Sequence, residues 1–252
     1  LLLAGDLLVR GAVNASLRLG VPALLVSLTI VAFGTSAPEL LISVGAILED
    51  APGLALGNVV GSNTANILLV LGVPALISNL HTSGFDTRHS YVTMLGVSLL
   101  FIAACFLGPL TWMHGLALLA VLAWILYSQA RAAMAHRANG QAEQADEEEE
   151  EEPEGADPSI SGWKIALFLI LGLIGLPLGA SLLIDSATEI AEMFGVSDSV
   201  IGLTLVALGT SLPELATTVM AAIRRQADVA LGNVIGSNMF NLLAIIGVAL
   251  FF

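Results

Sequence analysis

The chain is poor in charge. Asp, Glu, Lys and Arg make up 12% of its 252 residues, where a soluble domain carries about 25%. Hydrophobic residues make up 56%, in recurring stretches long enough to cross a hydrocarbon core of about 30 Å as helices. These numbers exclude an ordinary soluble fold and predict a polytopic, all-α membrane protein. Cysteine occurs once, which excludes an internal disulfide. Cys105, set among Phe, Ala and Leu, is expected to be a small buried hydrophobe. The four histidines lie in or near connections and suggest no metal cluster. Within the apolar stretches there is no Ser/His pair, no catalytic Asp pair and no His-rich metal motif. An intramembrane hydrolase is thereby disfavoured, and the chain is not expected to be an enzyme. Nothing resembles a cleaved signal peptide. Because the chain begins and ends inside apolar runs, both ends are expected to be cut.

What charge there is has a pattern. The net charge is −13, but ten of the 21 acids lie in Glu143–Asp157, "EQADEEEEEEPEGAD". Such a block repels itself and stays solvated. It lacks the glycine turn and alternating ligands of a calcium loop, so it reads as a linker between two membrane halves. Eight spans are expected, at 1–14, 21–48, 54–78, 90–107, 112–131, 162–190, 199–223 and 229–252. The eight basic residues are Arg10, Arg18, Arg88, Arg131, Arg137, Lys164, Arg224 and Arg225. All fall in or beside odd-numbered connections, hence on one side, which the positive-inside rule makes cytoplasmic. The expected divisions are a first repeat at 1–131, an acidic cytoplasmic linker at 132–161 and a second repeat at 162–252.

One charge sits where it should not. From Val21 to Leu48 the only ionisable side chain is Glu39, inside "GTSAPEL". Shifting the chain by 175 residues supplies a partner. "TIVAFGTSAPEL" (29–40) falls on "TLVALGTSLPEL" (204–215), and "ALGNVVGSNTANILLVLGV" (55–73) on "ALGNVIGSNMFNLLAIIGV" (230–248). The matches include Thr, Ser, Pro, Glu and Asn, which shared apolar composition does not produce. The copies are five spans apart, an odd number, so they enter the membrane from opposite sides. An inverted-topology repeat is the hallmark of secondary transporters with sites near the bilayer midplane.

Each copy offers a polar set. The first contributes Thr35, Ser36, Glu39, Ser62 and Asn66; the second contributes Thr210, Ser211, Glu214, Ser237 and Asn241. Thr35 with Glu39, and Ser62 with Asn66, are spaced i, i+4 and are expected to stack on one helix face. Pro38 and Pro213 are expected to disrupt the helix just upstream, displacing the carbonyls of Gly34 and Gly209. All the donors are hard oxygens, which suit Na⁺, Mg²⁺ or Ca²⁺ rather than zinc or copper. A carboxylate in a span is functional by default, and two of them become tolerable with a cation between. Asn66 and Asn241 have a plainer use as hydrogen bonds between helices. Asn58, Asn63, Asn233 and Asn238 are expected to cap or bridge helices rather than bind cations. Asp6, Asp185 and Glu189 have no match between copies and carry little functional weight.

At these motifs the chain resembles the prokaryotic branch of the sodium/calcium exchanger (cation/Ca²⁺ antiporter) superfamily. "GTSAPEL…GNVVGSNTAN" and "GTSLPEL…GNVIGSNMFN" are similar to its two α-repeats. The resemblance implies an inverted-topology bundle of five plus five helices, of which about eight are present here. It implies Glu39 and Glu214 as shared Ca²⁺/Na⁺ carboxylates, and Thr35 and Thr210 as carbonyl and hydroxyl ligands. Ser36, Ser62, Ser211 and Ser237 would line flanking Na⁺ sites with the carbonyls of Ala32 and Ala207, and Asn66 and Asn241 would complete the centre. Some members carry Asp where this chain has Asn241, so two formal negative charges are expected here. The implied activity is Na⁺/Ca²⁺ antiport by alternating access in a bacterial inner membrane. It uses no cofactor beyond the transported ions and no obligate protein partner, and spans one and six move against the rest. Exchange of Ca²⁺ for H⁺, or a K⁺-dependent exchanger, is the alternative on the same fold. A cation channel would instead arrange its filter around an axis along the pore.

Overall fold

A computed structural model of the chain describes residues 1–78, 80, 87–143, 157, 159–196 and 207–252. Among these residues the protein is helical throughout, with no strand. The helices are α1 (Leu2–Leu19), α2 (Ala23–Thr35), α3 (Ala37–Leu48), α4 (Pro52–Ile77), α5 (Thr87–Phe106), α6 (Trp112–Glu143), α7 (Gly162–Met193), α8 (Ala207–Gly209), α9 (Leu212–Ile223) and α10 (Ala227–Ala249). Five of them (α4, α5, the Trp112–Ala132 part of α6, α7 and α10) are long and apolar enough to cross a membrane, and α2 with α3 forms a sixth, bent by 43°. The expected second span is thus a broken helix. The fifth runs on to Glu143, past its expected end at 131. The expected span 199–223 lies partly outside the described residues, as does most of the acidic linker.

The first expected span is a helix that keeps its charges by pairing them. Asp6 forms ion pairs with Arg224, beyond the end of α9, and with Arg10 one turn along α1 at 3.2 Å. Removing one partner of such a pair in an apolar setting costs far more than its net worth. At the other end of α1 the Asn14 side-chain carbonyl accepts the Asp157 backbone N–H at 2.9 Å, and Arg18 packs against Gly162. The Asp157 carboxyl is held below its usual range by the Ser159 hydroxyl and amide. The end of α1 and the start of α7 therefore share one end of the bundle.

The repeat persists into backbone detail. Both α3 and α9 end in a non-glycine residue in the left-handed region, Asp50 (φ 56°) and Arg225 (φ 55°). The next amide in each case reaches back to a carbonyl at 2.8 Å, Ala51 to Ala46 and Gln226 to Ala221. Both α4 and α10 widen into a π-helical turn at matching positions, Asn66–Val70 and Asn241–Ile245. Insertions of this kind often mark functional sites.

Helix α10 is the centre of the bundle. Its spanning window is 89% buried, against 22% for α4. It packs on α2 at very close range: a Cβ at Gly236 would lie 2.6 Å from both the Ala32 Cβ and the Leu28 carbonyl oxygen. The Ser27 hydroxyl donates to the Val229 carbonyl at 2.6 Å, and the Phe33 and Phe240 rings meet edge to face at 5.6 Å. Apolar side chains of α2, α4, α5, α6 and α10 make the largest core cluster; a second joins α1, α2, α7 and α9. Within the second, α1 and α7 approach closely, since a Cβ at Gly172 would sit 2.6 Å from that of Leu8. Cys105, by contrast, is exposed on α5. The expectation of burial fails because the outside of this bundle is itself apolar, as exposed Leu99, Ile102 and Phe106 on the same helix show. Against lipid tails an apolar side chain gains little by turning inward.

The α2–α10 contact yields the first prediction. Gly236→Val should lower stability by about 1–3 kcal/mol through overpacking. Gly96→Ala, where a Cβ meets nothing within 4 Å, should be neutral or stabilising. Thermal unfolding of the purified variants in detergent measures both.

Candidate functional site

Two helix breaks build the site. At Ser36 (φ −85°, ψ 6°) α2 ends and α3 begins; at Ser211 (φ −87°, ψ 4°) α9 begins in the same way. Pro38 and Pro213 each stand in the first turn of the new helix, where a missing N–H removes no helical hydrogen bond. The prolines therefore start helices rather than kink them. Glu39 and Glu214 follow immediately, in the first turns of α3 and α9. There the unpaired amides and the helix dipole favour negative charge. On the outside, α7 backs both breaks. A Cβ at Gly34 would meet the Leu173 side-chain tip at 2.1 Å and one at Gly209 the Ile184 tip at 2.3 Å, so a side chain at either place would push these tips aside.

The break changes one expectation. Thr35 and Glu39 do not stack on a continuous helix face, because Thr35 closes α2 and Glu39 opens α3. The Thr35 hydroxyl instead lies 3.2 Å from Asn233 Oδ1, 3.3 Å from the Ala32 carbonyl and 3.4 Å from Ser237 Oγ. Ser62 and Asn66, on unbroken α4, keep their common face, and the Asn66 backbone N–H donates to the Ser62 backbone carbonyl.

Hydrogen bonds tie several of the remaining candidates across the repeats, and the others share their burial. Ser36 Oγ donates to Glu214 Oε1 at 3.3 Å, joining the two breaks directly, and the two carboxylates lie within electrostatic reach of each other. Thr35, Ser36, Glu39, Ser62, Asn66, Thr210, Ser211, Glu214, Ser237 and Asn241 are all buried, and so is Ala32. The Ala32 carbonyl accepts the Ser36 amide at 3.1 Å. Ala207 is the first residue of α8. Five buried oxygens in this group have no hydrogen-bond partner: Glu39 Oε2, Glu214 Oε2, Asn66 Oδ1, Asn241 Oδ1 and Ser211 Oγ. An unpaired polar atom in a dry interior is costly. Several together, all hard oxygen acceptors and two of them on carboxylates, fit a hard cation.

The asparagines set aside as bridging residues occupy bridging places. Asn58 Nδ2 donates to the Glu39 carbonyl at 3.2 Å and to Ser43 Oγ at 2.9 Å. Asn233 Nδ2 repeats this on the Glu214 carbonyl at 3.3 Å and Thr218 Oγ1 at 3.1 Å. The Ser43–Asn58 and Thr218–Asn233 pairs recur at the repeat spacing and preserve a hydroxyl, a signal legible in the sequence. Nothing local in the sequence marks Asp6 as the partner of Arg224, since their encounter depends on how α1 lies against α9.

Two discontinuous helices that start at buried carboxylates, one in each copy of an inverted repeat, define a secondary transporter of ions rather than an enzyme. The family model described as "Sodium/calcium exchanger protein" matches residues 1–131 and 164–252, and the chain belongs to that family. It is 35% identical over 246 residues to an inner membrane protein, YrbG, of Escherichia coli, covering 97% of this chain and 74% of that one. It is 34% identical to the sodium/calcium exchanger MaX1 of Methanosarcina acetivorans, covering 97% of this chain and 77% of that one. Among solved structures it is similar to the sodium-calcium exchanger NCX_Mj, with a TM-score of 0.82 at 33% identity, over 99% of this chain and 78% of the other.

Asn233 carries the prediction here. Asn233→Leu removes the bonds to the Glu214 carbonyl and the Thr218 hydroxyl and a Thr35 contact, and should cost about 1–3 kcal/mol. Asn58→Leu should cost less, because Asn58 is only half-buried. Ion-free thermal unfolding of the two variants side by side gives the comparison.

Proposed function

We propose that the protein exchanges Na⁺ for Ca²⁺ across a bacterial inner membrane by alternating access, with both ions competing for one site between the repeats. The observation that carries this reading is the buried pair Glu39 and Glu214, each with an unpartnered Oε2, together with the buried unpartnered Oδ1 atoms of Asn66 and Asn241. Two buried carboxylates carry two formal charges, which one divalent cation or two monovalent ones neutralise. A single monovalent ion leaves one charge uncompensated in a dry interior, which is strongly unfavourable. Ca²⁺ and Na⁺ therefore exclude each other, and a half-filled site resists the transition between states. Thr35, Ser36, Ser62, Thr210, Ser211 and Ser237, with the carbonyls of Ala32 and Ala207, serve as the further oxygen ligands. The two-repeat division at 1–131 and 162–252 supplies the two halves, with α1 and α7 as the pair that moves. The names of the E. coli and Methanosarcina relatives support the membrane and the ions. The placement of the basic residues other than Arg10, which lies within α1, supports a cytoplasmic acidic linker.

The deciding measurement is ⁴⁵Ca²⁺ uptake by proteoliposomes loaded with Na⁺ and diluted into Na⁺-free or Na⁺-matched buffer at fixed pH. Uptake that requires the outward Na⁺ gradient is expected. Uptake driven equally by a pH gradient without Na⁺ would transfer the reading to Ca²⁺/H⁺ exchange on the same site. Glu39→Gln and Glu214→Gln should each reduce uptake to the level of protein-free vesicles. Sustained transport in both would remove the carboxylates from the site.

A further inference from the structure

The side-chain amides of Asn66 and Asn241 can each leave either a carbonyl oxygen or an NH₂ group unpartnered in the buried interior. Only the oxygen attracts a cation. What decides between them is a directional chain of hydrogen bonds that crosses between the repeats. The Asn238 backbone carbonyl can only accept, and Asn63 Nδ2 donates to it at 3.2 Å. Asn63 must therefore turn its Oδ1 the other way, where it accepts from Asn241 Nδ2 at 3.0 Å. With its NH₂ committed, Asn241 leaves Oδ1 as the unpartnered buried atom.

The mirrored chain starts from a different anchor. Asn238 Nδ2 faces Met94 Sδ of α5 at 3.7 Å, a sulfur that accepts weakly and cannot donate. Asn238 Oδ1 is thereby free to accept from Asn66 Nδ2 at 3.1 Å. Asn66 Oδ1 is left unpartnered and buried in the same way. Each site asparagine is thus oriented by an asparagine of the opposite repeat, 63 on 241 and 238 on 66.

We infer that Asn63 and Asn238 are positioning residues that fix the oxygen ends of Asn241 and Asn66 toward the ion, and so set the Ca²⁺ affinity of the site. The inference rests on the cation-site reading above and deepens it. Neither residue touches the ion, and each acts through the amide it orients. Partners of this kind, one shell out from a ligand, typically hold about 10–100-fold of metal affinity.

The test is equilibrium Ca²⁺ binding to the purified protein in Na⁺-free detergent, by titration calorimetry, on wild type, Asn63→Ala, Asn241→Ala and the double variant. Asn63→Ala should weaken Ca²⁺ binding about tenfold or more. Introduced into the Asn241→Ala background it should add less than about twofold, since the residue it acts through is gone. The inference is overturned if Asn63→Ala leaves the Kd within about twofold of wild type. It is also overturned if the full loss persists in the Asn241→Ala background, because Asn63 is then a packing residue. Should Asn63→Ala not fold, the mirrored cycle of Asn238→Ala with Asn66→Ala carries the same expectation and the same two ways to fail. A wild-type protein that binds no Ca²⁺ would overturn the cation-site reading and this inference with it. Normal wild-type binding with an indifferent Asn63 overturns this inference alone.

Discussion

Everything in this bundle is arranged around two carboxylates that the membrane interior does not want. A bare carboxylate in hydrocarbon is too costly to keep, and Glu39 and Glu214 are both almost wholly buried. The fold answers by breaking helices. Each break starts a new helix whose first-turn amides face the carboxylate, and the prolines of the two motifs sit where a missing amide does no harm. Ser36 then ties one break to the carboxylate of the other. Asn58 and Asn233 hold the glutamate carbonyls and so fix the backbone from which each carboxylate projects. What is left unsatisfied, one oxygen on each glutamate, one on each candidate asparagine and the Ser211 hydroxyl, is what a cation would complete.

The repeat is legible in the sequence, and it picks out most of the candidate site. Thr, Ser, Pro, Glu and Asn recurring at one shift in apolar surroundings cannot come from hydropathy alone, and the structure reproduces the shift down to matching turns and π-helical widenings. Less legible was anything that depends on one helix meeting another. The i, i+4 rule placed Thr35 beneath Glu39, but that rule assumes an unbroken helix, and the break at Ser36 sends Thr35 to Asn233 and Ser237. Cys105 was read inward because apolar residues usually point inward, a habit of water-soluble proteins that lipid removes. Asp6 had no counterpart in the second repeat and so no signal; its meaning comes from Arg224, 218 residues away in the chain. Helix α6 outruns its expected span because helix propensity does not stop at the membrane surface, and "SQARAAMAHRANGQAE" is polar without being helix-breaking.

Replacing a carboxylate by asparagine at position 241 has a structural counterpart. An aspartate there could accept but not donate, and the bond to Asn63 Oδ1 would become a contact between two acceptors. The asparagine keeps that bond and still offers one oxygen. The charge of the site and the wiring of its flanks are therefore one choice rather than two. A change at 241 alone would have to re-orient Asn63, whose own NH₂ is committed to the Asn238 carbonyl.

Equal sequences have not produced equal environments. Ser36 donates to Glu214, while its counterpart Ser211 has an unpartnered hydroxyl. Asn233 is fully buried and bonded to Thr35, while Asn58 is half-buried. Asn238 leans on Met94, for which the first repeat's Asn63 uses a backbone carbonyl instead. Two inverted halves in identical conformations present a midplane site identically to both faces, which makes either a leak or a sealed core. A protein that opens to one side at a time must hold its halves in different states. Because the two motifs are so nearly the same in sequence, their unequal contacts come from the helices packed around them: α5 and α6 lie against α10, whose spanning window is 89% buried, while that of α4 is 22% buried.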